Sequence, residues 1–193
     1  MQIHFFLLLI SYLLGSIPSG LILSKILNKG DIRKFGSGNI GATNALRVGG
    51  RLLGALTLIF DLLKGLVTVI MAMVFEQKFI AVYGFVCILG HIFPVWLKFK
   101  GGKGVATVLG VILGLNPLVG LIMAIIWIIT FICFKISSVA SLTSLFLATL
   151  ALIITNTNYG NSIFLILTLM LIVYKHKDNI IRLYRGEESK ISL

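Results

Sequence analysis

Seven apolar stretches divide the chain, at residues 3–27, 52–75, 79–97, 105–115, 118–134, 136–155 and 162–174. They are too hydrophobic to sit in water. A membrane-spanning helix needs about 20 residues, within a range of about 17–25. The first, second, third, fifth and sixth stretches meet that length, and the fourth and seventh are short. The fourth ends at Asn116-Pro117, a strong break. It is expected to reach back into the 101–104 turn, to tilt little, or to cross a locally thinned bilayer. The pattern predicts an all-α integral membrane protein of seven transmembrane helices, forming one membrane-embedded domain over residues 1–193.

Composition strengthens this reading. The 193-residue chain is 58% hydrophobic, against about 45–50% for a soluble domain. Its mean hydropathy is +1.07. A 21.1 kDa core could not bury that much apolar surface, so the excess faces lipid. Cys87 and Cys133 lie within apolar stretches and read as small buried hydrophobes, with no disulfide expected. The N-terminus offers only Gln2 and His4 as polar residues, and the positive charges come at and beyond the end of the first stretch, at Lys25, Lys29, Arg33 and Lys34. That is the reverse of a cleaved signal peptide, so an uncleaved first helix is expected.

Charge sets the orientation. The formal net charge is +11. With seven spans, the loops 28–51 and 98–104, Lys135 and the tail from Lys175 share one face. Together with Lys25 they hold 15 of the 17 basic residues. The opposite face has Lys78, with Glu76 beside it. The basic face is expected to be cytoplasmic, with the N-terminus outside and the C-terminus inside. Such charge suits nucleic acid, anionic lipid or an anionic substrate. Nucleic acid is disfavoured, because no soluble basic domain exists to dock it.

Three polar constellations fall on that face. The first is Gly36-Ser37-Gly38-Asn39-Ile40-Gly41-Ala42-Thr43-Asn44, followed by Arg47. Ser, Thr and Asn donate hydrogen bonds without charge, and Arg clamps phosphate bidentately. A helix starting near Gly41 would add free N–H groups. An ordinary capped turn is the alternative, but it needs fewer donors. The second is Lys98-Phe99-Lys100-Gly101-Gly102-Lys103-Gly104. Lysines alone are explained by anchoring to the membrane face. Gly101, Gly102 and Gly104 suggest backbone amides crowding an anion. This is no Walker A loop, since Gly104 follows Lys103 and Leu97 stands where the first glycine belongs. The third is His176-Lys177-Asp178-Asn179, then Arg182 and Arg185-Gly186-Glu187-Glu188. If the last helix continues here, His176 and Asn179 share a face. A solvated basic tail is the alternative.

Other polar groups leave their roles open. Asp61 and Lys64, three apart within a span, form either a structural ion pair or a proton or substrate site. His91 is either a packed, hydrogen-bonded histidine or a ligand of the site. Ser137, Ser138, Ser141, Thr143 and Ser144 read as bonds to helix carbonyls or neighbouring helices. No His-x4-Asp pair is present: Leu9, Trp96 and Ile181 stand five residues after the histidines. There is also no Gly-x-Ser-x-Gly elbow and no metal-ligand cluster, and no cofactor is implied.

Taken together, the three constellations resemble the PlsY family of bacterial acyl-phosphate:glycerol-3-phosphate acyltransferases. The resemblance is carried by 36–44, by Gly90-His91-Ile92-Phe93-Pro94 with 100–107, and by 176–180 with Arg182, Leu183 and Gly186. It implies transfer of a fatty acyl group from acyl phosphate to the sn-1 hydroxyl of glycerol 3-phosphate, at the cytoplasmic side of the inner membrane. Ser37, Arg47, Lys103, His176 and Asn179 would surround the phosphates. Gly38, Asn39, Thr43, Asn44, His91, Gly101, Gly102 and Gly104 complete the candidate substrate-binding set. His176 is a candidate base, with a phosphate oxygen of the substrate as the alternative proton acceptor. Candidate partners are membrane lipids and the soluble enzyme that supplies acyl phosphate. A membrane transporter of an anionic phosphorylated metabolite remains the competing function.

Overall fold

A computed structural model of the chain describes residues 2–75, 80–155 and 159–191. Among these residues every regular element is helical. Glu76 and Lys78, expected on the opposite face, lie outside the described residues.

The first apolar stretch is not one helix. It forms α1 (Gln2–Ser16) and α2 (Ser19–Ile26), bent by 44° at the break. Pro18 lacks an N–H and cannot continue the ladder, which frees backbone carbonyls inside the span. α3 (Ala42–Phe75) begins well before the second apolar stretch. It is interrupted at Gly50, whose φ of 83° and ψ of −177° suit only glycine. The short arm before Gly50 folds back, so a Cβ built on Gly54 would lie 2.7 Å from that of Leu46. This fold-back aims residues 42–47 at the site described below.

The remaining helices are α4 (Ile80–Ile92), α5 (Val105–Leu115), α6 (Pro117–Phe134), α7 (Ser137–Thr155), α8 (Tyr159–Lys175) and α9 (Lys177–Tyr184). α4 stops five residues short of the expected Leu97, and a 3-10 turn, Val95–Leu97, follows Pro94. Pro117 opens α6, and the Asn116 side chain accepts the Val119 N–H at 3.2 Å, so the sequence break is a helix cap.

Small residues let the helices approach closely. A Cβ on Gly65 of α3 would lie 2.2 Å from the Thr107 carbonyl, and one on Gly110 of α5 would lie 1.9 Å from that of Leu62. The two glycines therefore zip α3 against α5. Val69, Ile88, Val108, Ile112, Met123, Leu145 and Ile172 form the main core. Around it, Phe5, Val74 and Ile154 are 69–74% exposed. Such a surface belongs in lipid. Among the described residues, four helices are long and apolar enough to span a bilayer, and the bent α1–α2 pair makes a fifth; α5 and α8 are shorter apolar helices. Both cysteines are free; Cys87 is buried, but Cys133 is exposed rather than buried as its sequence context suggests.

Candidate active site

One cavity of about 850 Å³ collects groups from α3, α5, α6, α7, α9 and the tail. Beside its polar groups it is lined by the apolar side chains of Leu58, Leu109, Met123, Ala124 and Ile128, and by Trp127. The Trp127 indole donates to Ser141 Oγ at 3.1 Å and its ring stacks on Phe131.

The 36–44 loop is organised by Asn44, which is buried. Its amide nitrogen donates towards the carbonyls of Ile32 (2.8 Å), Phe35 (3.2 Å) and Asn39 (2.8 Å), and its oxygen accepts the Ser37 N–H at 2.9 Å. Asn44 thus holds the loop in shape, and its hydrogen-bonding capacity is already engaged. Asn39 accepts the Gly41 N–H at 3.0 Å, just before α3 starts. Thr43 and Ser137 share a hydroxyl hydrogen bond of 3.0 Å that ties α3 to α7. Arg47 reaches the tail, donating to the Ser189 hydroxyl at 2.9 Å.

The lysine–glycine turn departs from its expected use. The Gly101 and Gly102 N–H groups donate to the carbonyls of Ile92 and His91, both at 3.1 Å. They are engaged within the fold and are not open to an anion. Glycine is required there by contact: a Cβ on Gly101 would lie 2.1 Å from the His91 carbonyl, and one on Gly102 would lie 2.2 Å from the His91 ring. Lys103 and Gly104 do line the cavity, as do Val105 and Ala106 in the first turn of α5. Gly104 has φ 89° and leads into that helix. The first-turn amides of α5, one step further on than expected, have no acceptor within their helix.

The last helix does not run on through the tail. It breaks at His176, and α9 starts at Lys177. Even so, His176 and Asn179 both line the cavity. His176 Nδ1–H donates to the Ile172 carbonyl at 2.8 Å, which leaves Nε2 with its lone pair. Burial, outweighing that hydrogen bond, pushes its pKa down to about 4, and nearby Lys103 adds to the shift. Lys103 donates to the Asn179 side-chain oxygen. Burial lowers the Lys103 pKa to about 8, although the Glu188 carboxylate pulls the other way.

Glu188 closes the third sequence constellation, where no role is legible for it. It accepts from Ser138 Oγ at 2.8 Å, from the Asn179 side-chain nitrogen and from Arg182 Nε at 2.7 Å. Burial raises its pKa, but these hydrogen bonds prevail and hold it below the usual carboxylate range. An acidic pair within a basic tail was the available clue. Ser138, read only as a helix–helix bond, supplies one of its partners. The tail is pinned by Ile191, whose N–H donates to the Lys135 carbonyl at 2.9 Å and whose side chain packs with Phe131 and Ala140.

Deeper still lie Asp61 and His91. Lys64 Nζ is 2.8 Å from Asp61 Oδ1 and donates to the Ile17 carbonyl at 3.2 Å, at the α1–α2 break. Ser19 donates to the same carboxylate oxygen at 3.0 Å. His91 Nδ1 is 3.7 Å from it, too far for a hydrogen bond. Of the expected site residues, Ser37, Asn39, Thr43, Asn44, Arg47, His91, Lys103, Gly104, His176 and Asn179 line the cavity; Gly38, Gly101 and Gly102 do not.

A lipid-embedded helical protein with a cavity lined by cations, hydroxyls and apolar side chains suits a small anion joined to a long apolar chain. Comparison with known proteins agrees. The sequence profile of the glycerol-3-phosphate acyltransferase family matches residues 5–186. Glycerol-3-phosphate acyltransferase of Pelagibacter ubique is 48% identical over 95% of each chain. That of Ehrlichia canis is 46% identical over 99% of this chain and 100% of its own. Crystal structures of PlsY, an integral membrane glycerol 3-phosphate acyltransferase, superpose with a TM-score of 0.92 in the glycerol 3-phosphate form and 0.89 in the lysophosphatidic acid form. Those two comparisons have 38% and 36% identity and cover 97% of this chain and 95% of the other. The chain belongs to the glycerol-3-phosphate acyltransferase family and is a multi-pass integral membrane protein.

Proposed function

We propose that this chain, a single domain of seven spans, transfers a fatty acyl group from acyl phosphate to the sn-1 hydroxyl of glycerol 3-phosphate. The products are 1-acyl-glycerol 3-phosphate and inorganic phosphate. The observation that carries this reading is the convergence of Arg47, Lys103, His176 and Asn179 on one cavity that is also lined by Leu109, Met123 and Ile128. Phosphates sit among the polar groups and the acyl chain lies along the apolar ones. The face holding 15 of the 17 basic residues is cytoplasmic, with the N-terminus outside and the C-terminus inside, in the bacterial inner membrane. A soluble enzyme delivers acyl phosphate to that face.

Two phosphates repel each other, so the first task is to offset like charge. Lys103, Arg47, the Ser37 hydroxyl and the α5 amides do this, and they stabilise charge as it develops. The sn-1 oxygen attacks the acyl carbonyl carbon, a C–O ester bond forms, and the bond from that carbon to the phosphate oxygen breaks. Phosphate leaves with the electron pair. Acyl phosphate is a mixed anhydride, already activated, so no covalent enzyme intermediate is needed. The hydroxyl proton goes to a phosphate oxygen. A phosphate with a pKa of about 6 is a better acceptor than His176 at about 4. Neutral His176 and Asn179 position the reactants.

The transporter alternative drew on the Asp61–Lys64 pair. Both members are bonded internally, to Ser19 and to the Ile17 carbonyl, which supports a structural role. The deciding experiment incubates the purified protein in lipid with palmitoyl phosphate and glycerol 3-phosphate. Lysophosphatidate and phosphate should appear together. Uptake of unchanged substrate into sealed vesicles, without either product, overturns the proposal.

A further inference from the structure

Lys103 and Asn179 meet inside the molecule through a direct hydrogen bond. The outer surfaces of the segments that carry them share a second feature. Ahead of Lys103, Val95, Trp96 and Phe99 are 41%, 61% and 58% exposed. Lys98 and Lys100 are exposed beside them. Lys98 and Phe99 both adopt left-handed backbone, with φ of 51° and 62°, a conformation disfavoured for a bulky residue. The turn is nevertheless fixed by the Phe99 N–H on the Pro94 carbonyl at 3.0 Å and the Lys100 N–H on that of Leu97 at 3.1 Å.

α9 repeats the arrangement. Asn179 is buried towards the cavity, while Ile180, Ile181 and Tyr184 are 40%, 48% and 94% exposed. Lys177 lies over the Tyr174 ring at 5.2 Å, and Lys175 over the Phe93 ring at 5.5 Å. Phe93 immediately precedes the 94–100 segment, so Lys175 joins the two outer surfaces. Met170, Val173 and Tyr174 of α8 are exposed too, and Ile180 and Ile181 follow them just past the break at His176. Exposed apolar side chains thus extend from α8 onto α9. Aromatic rings beside lysines suit the headgroup layer, and the lysines select anionic lipid. Asp178 and Glu187 are the opposing exposed charges on α9 and the tail.

We propose that segment 94–100 and α9 form one docking surface for anionic phospholipid headgroups, and that bilayer charge thereby holds Lys103 and Asn179 in register. The occupant is the bilayer itself. A soluble protein partner is the outcome that the test must separate.

The chain has two tryptophans, so Trp127→Phe leaves Trp96 as the sole reporter. In vesicles, lipids brominated high on the acyl chain should quench Trp96, and acrylamide should not. A tryptophan introduced by Tyr184→Trp in a background lacking the other two should behave alike. Transfer from Trp96 to dansyl-labelled phosphatidylglycerol should exceed transfer to dansyl-labelled phosphatidylcholine by about twofold or more. The Lys98→Gln/Lys100→Gln/Lys177→Gln variant should lose that preference while melting as the parent does in detergent. Acrylamide access without bromine quenching overturns the proposal and indicates a surface open to a soluble partner. Equal transfer from the two labelled lipids overturns the anionic selectivity. These fluorescence measurements need no turnover, so they stand apart from the acyl-transfer reading. On that reading, kcat at saturating substrate should rise severalfold as phosphatidylglycerol replaces phosphatidylcholine; a flat response overturns the coupling to the site.

Discussion

Asp61 and Glu188 are both carboxylates set among cations and hydroxyls, yet their surroundings are built on opposite plans. Asp61 is paired with Lys64 from its own helix and with Ser19 at the helix break, and Lys64 also satisfies the carbonyl that the break exposes. These bonds close on themselves within a span, even though Asp61 also lines the cavity. Glu188 lies on a tail segment and is held by Ser138 of α7 and by Asn179 and Arg182 of α9. All four groups line the cavity. A closed cluster fixes a backbone irregularity in lipid, where an unsatisfied carbonyl has no water to turn to. An open cluster keeps donors aimed at a place where another anion can arrive. Charge in a membrane protein is thus read by where its hydrogen bonds end.

The contrast breaks most visibly at Asp61. Asp61→Asn leaves Lys64 buried without its counter-charge, which should cost about 3–5 kcal/mol of stability. The thermal midpoint in detergent should fall sharply. Adding Lys64→Met removes the orphaned charge and should restore much of the loss. A double variant as unstable as the single would show that Lys64 is needed for the Ile17 carbonyl rather than for the carboxylate.

The open site should show the reverse pattern, with activity lost and the fold kept. Arg47→Ala and Lys103→Ala should lower kcat/KM by about a hundredfold or more, with little change in melting. Lys98→Ala, on the outer surface, should stay within about twofold. Equal effects at all three positions would indicate a diffuse basic patch in place of a defined site. Glu188→Gln removes the charge but keeps the shape. It should lower kcat/KM by about tenfold, because Arg182 and Asn179 lose a charged acceptor. A rise in affinity for glycerol 3-phosphate would instead mean that the carboxylate competes with the phosphate.

The same contrast explains what the sequence disclosed. Apolar runs located nearly every helix, because lipid demands apolar surface over a fixed length. They merged α1 with α2, although Pro18 marked the break, since hydropathy does not register a missing N–H. The residues of the polar site were legible by type: Arg47, Lys103, His176 and Asn179 all line the cavity. Their division of labour was not. Asn44 looks like a ligand donor, yet it is engaged by three carbonyls of its own loop. Gly101 and Gly102 look like an amide cradle, yet their N–H groups bind the end of α4. A donor's partner is settled by tertiary contact, and periodicity carries no trace of it. The role of Glu188 was not legible because its partners lie on α7 and α9, one of them 50 residues away in sequence.

The smallest of these effects isolates one proton. Lys103, with a pKa of about 8, is charged below that pH and loses its charge as pH rises through it. Anion binding must weaken in the same direction. The kcat/KM profile reports groups of the free enzyme, so it should be level near pH 7 and fall about tenfold for each unit well above pH 8. Glycerol 3-phosphate is already a dianion there, given a second phosphate pKa of about 6. His176, at about 4, has long been neutral. Neither can produce an alkaline limb at that position. Lys103→Arg keeps its charge throughout the range and should abolish the limb whatever it does to the absolute rate. If the limb survives in that variant, the titrating group is not Lys103, and the charge facing the phosphates must come from elsewhere in the open cluster.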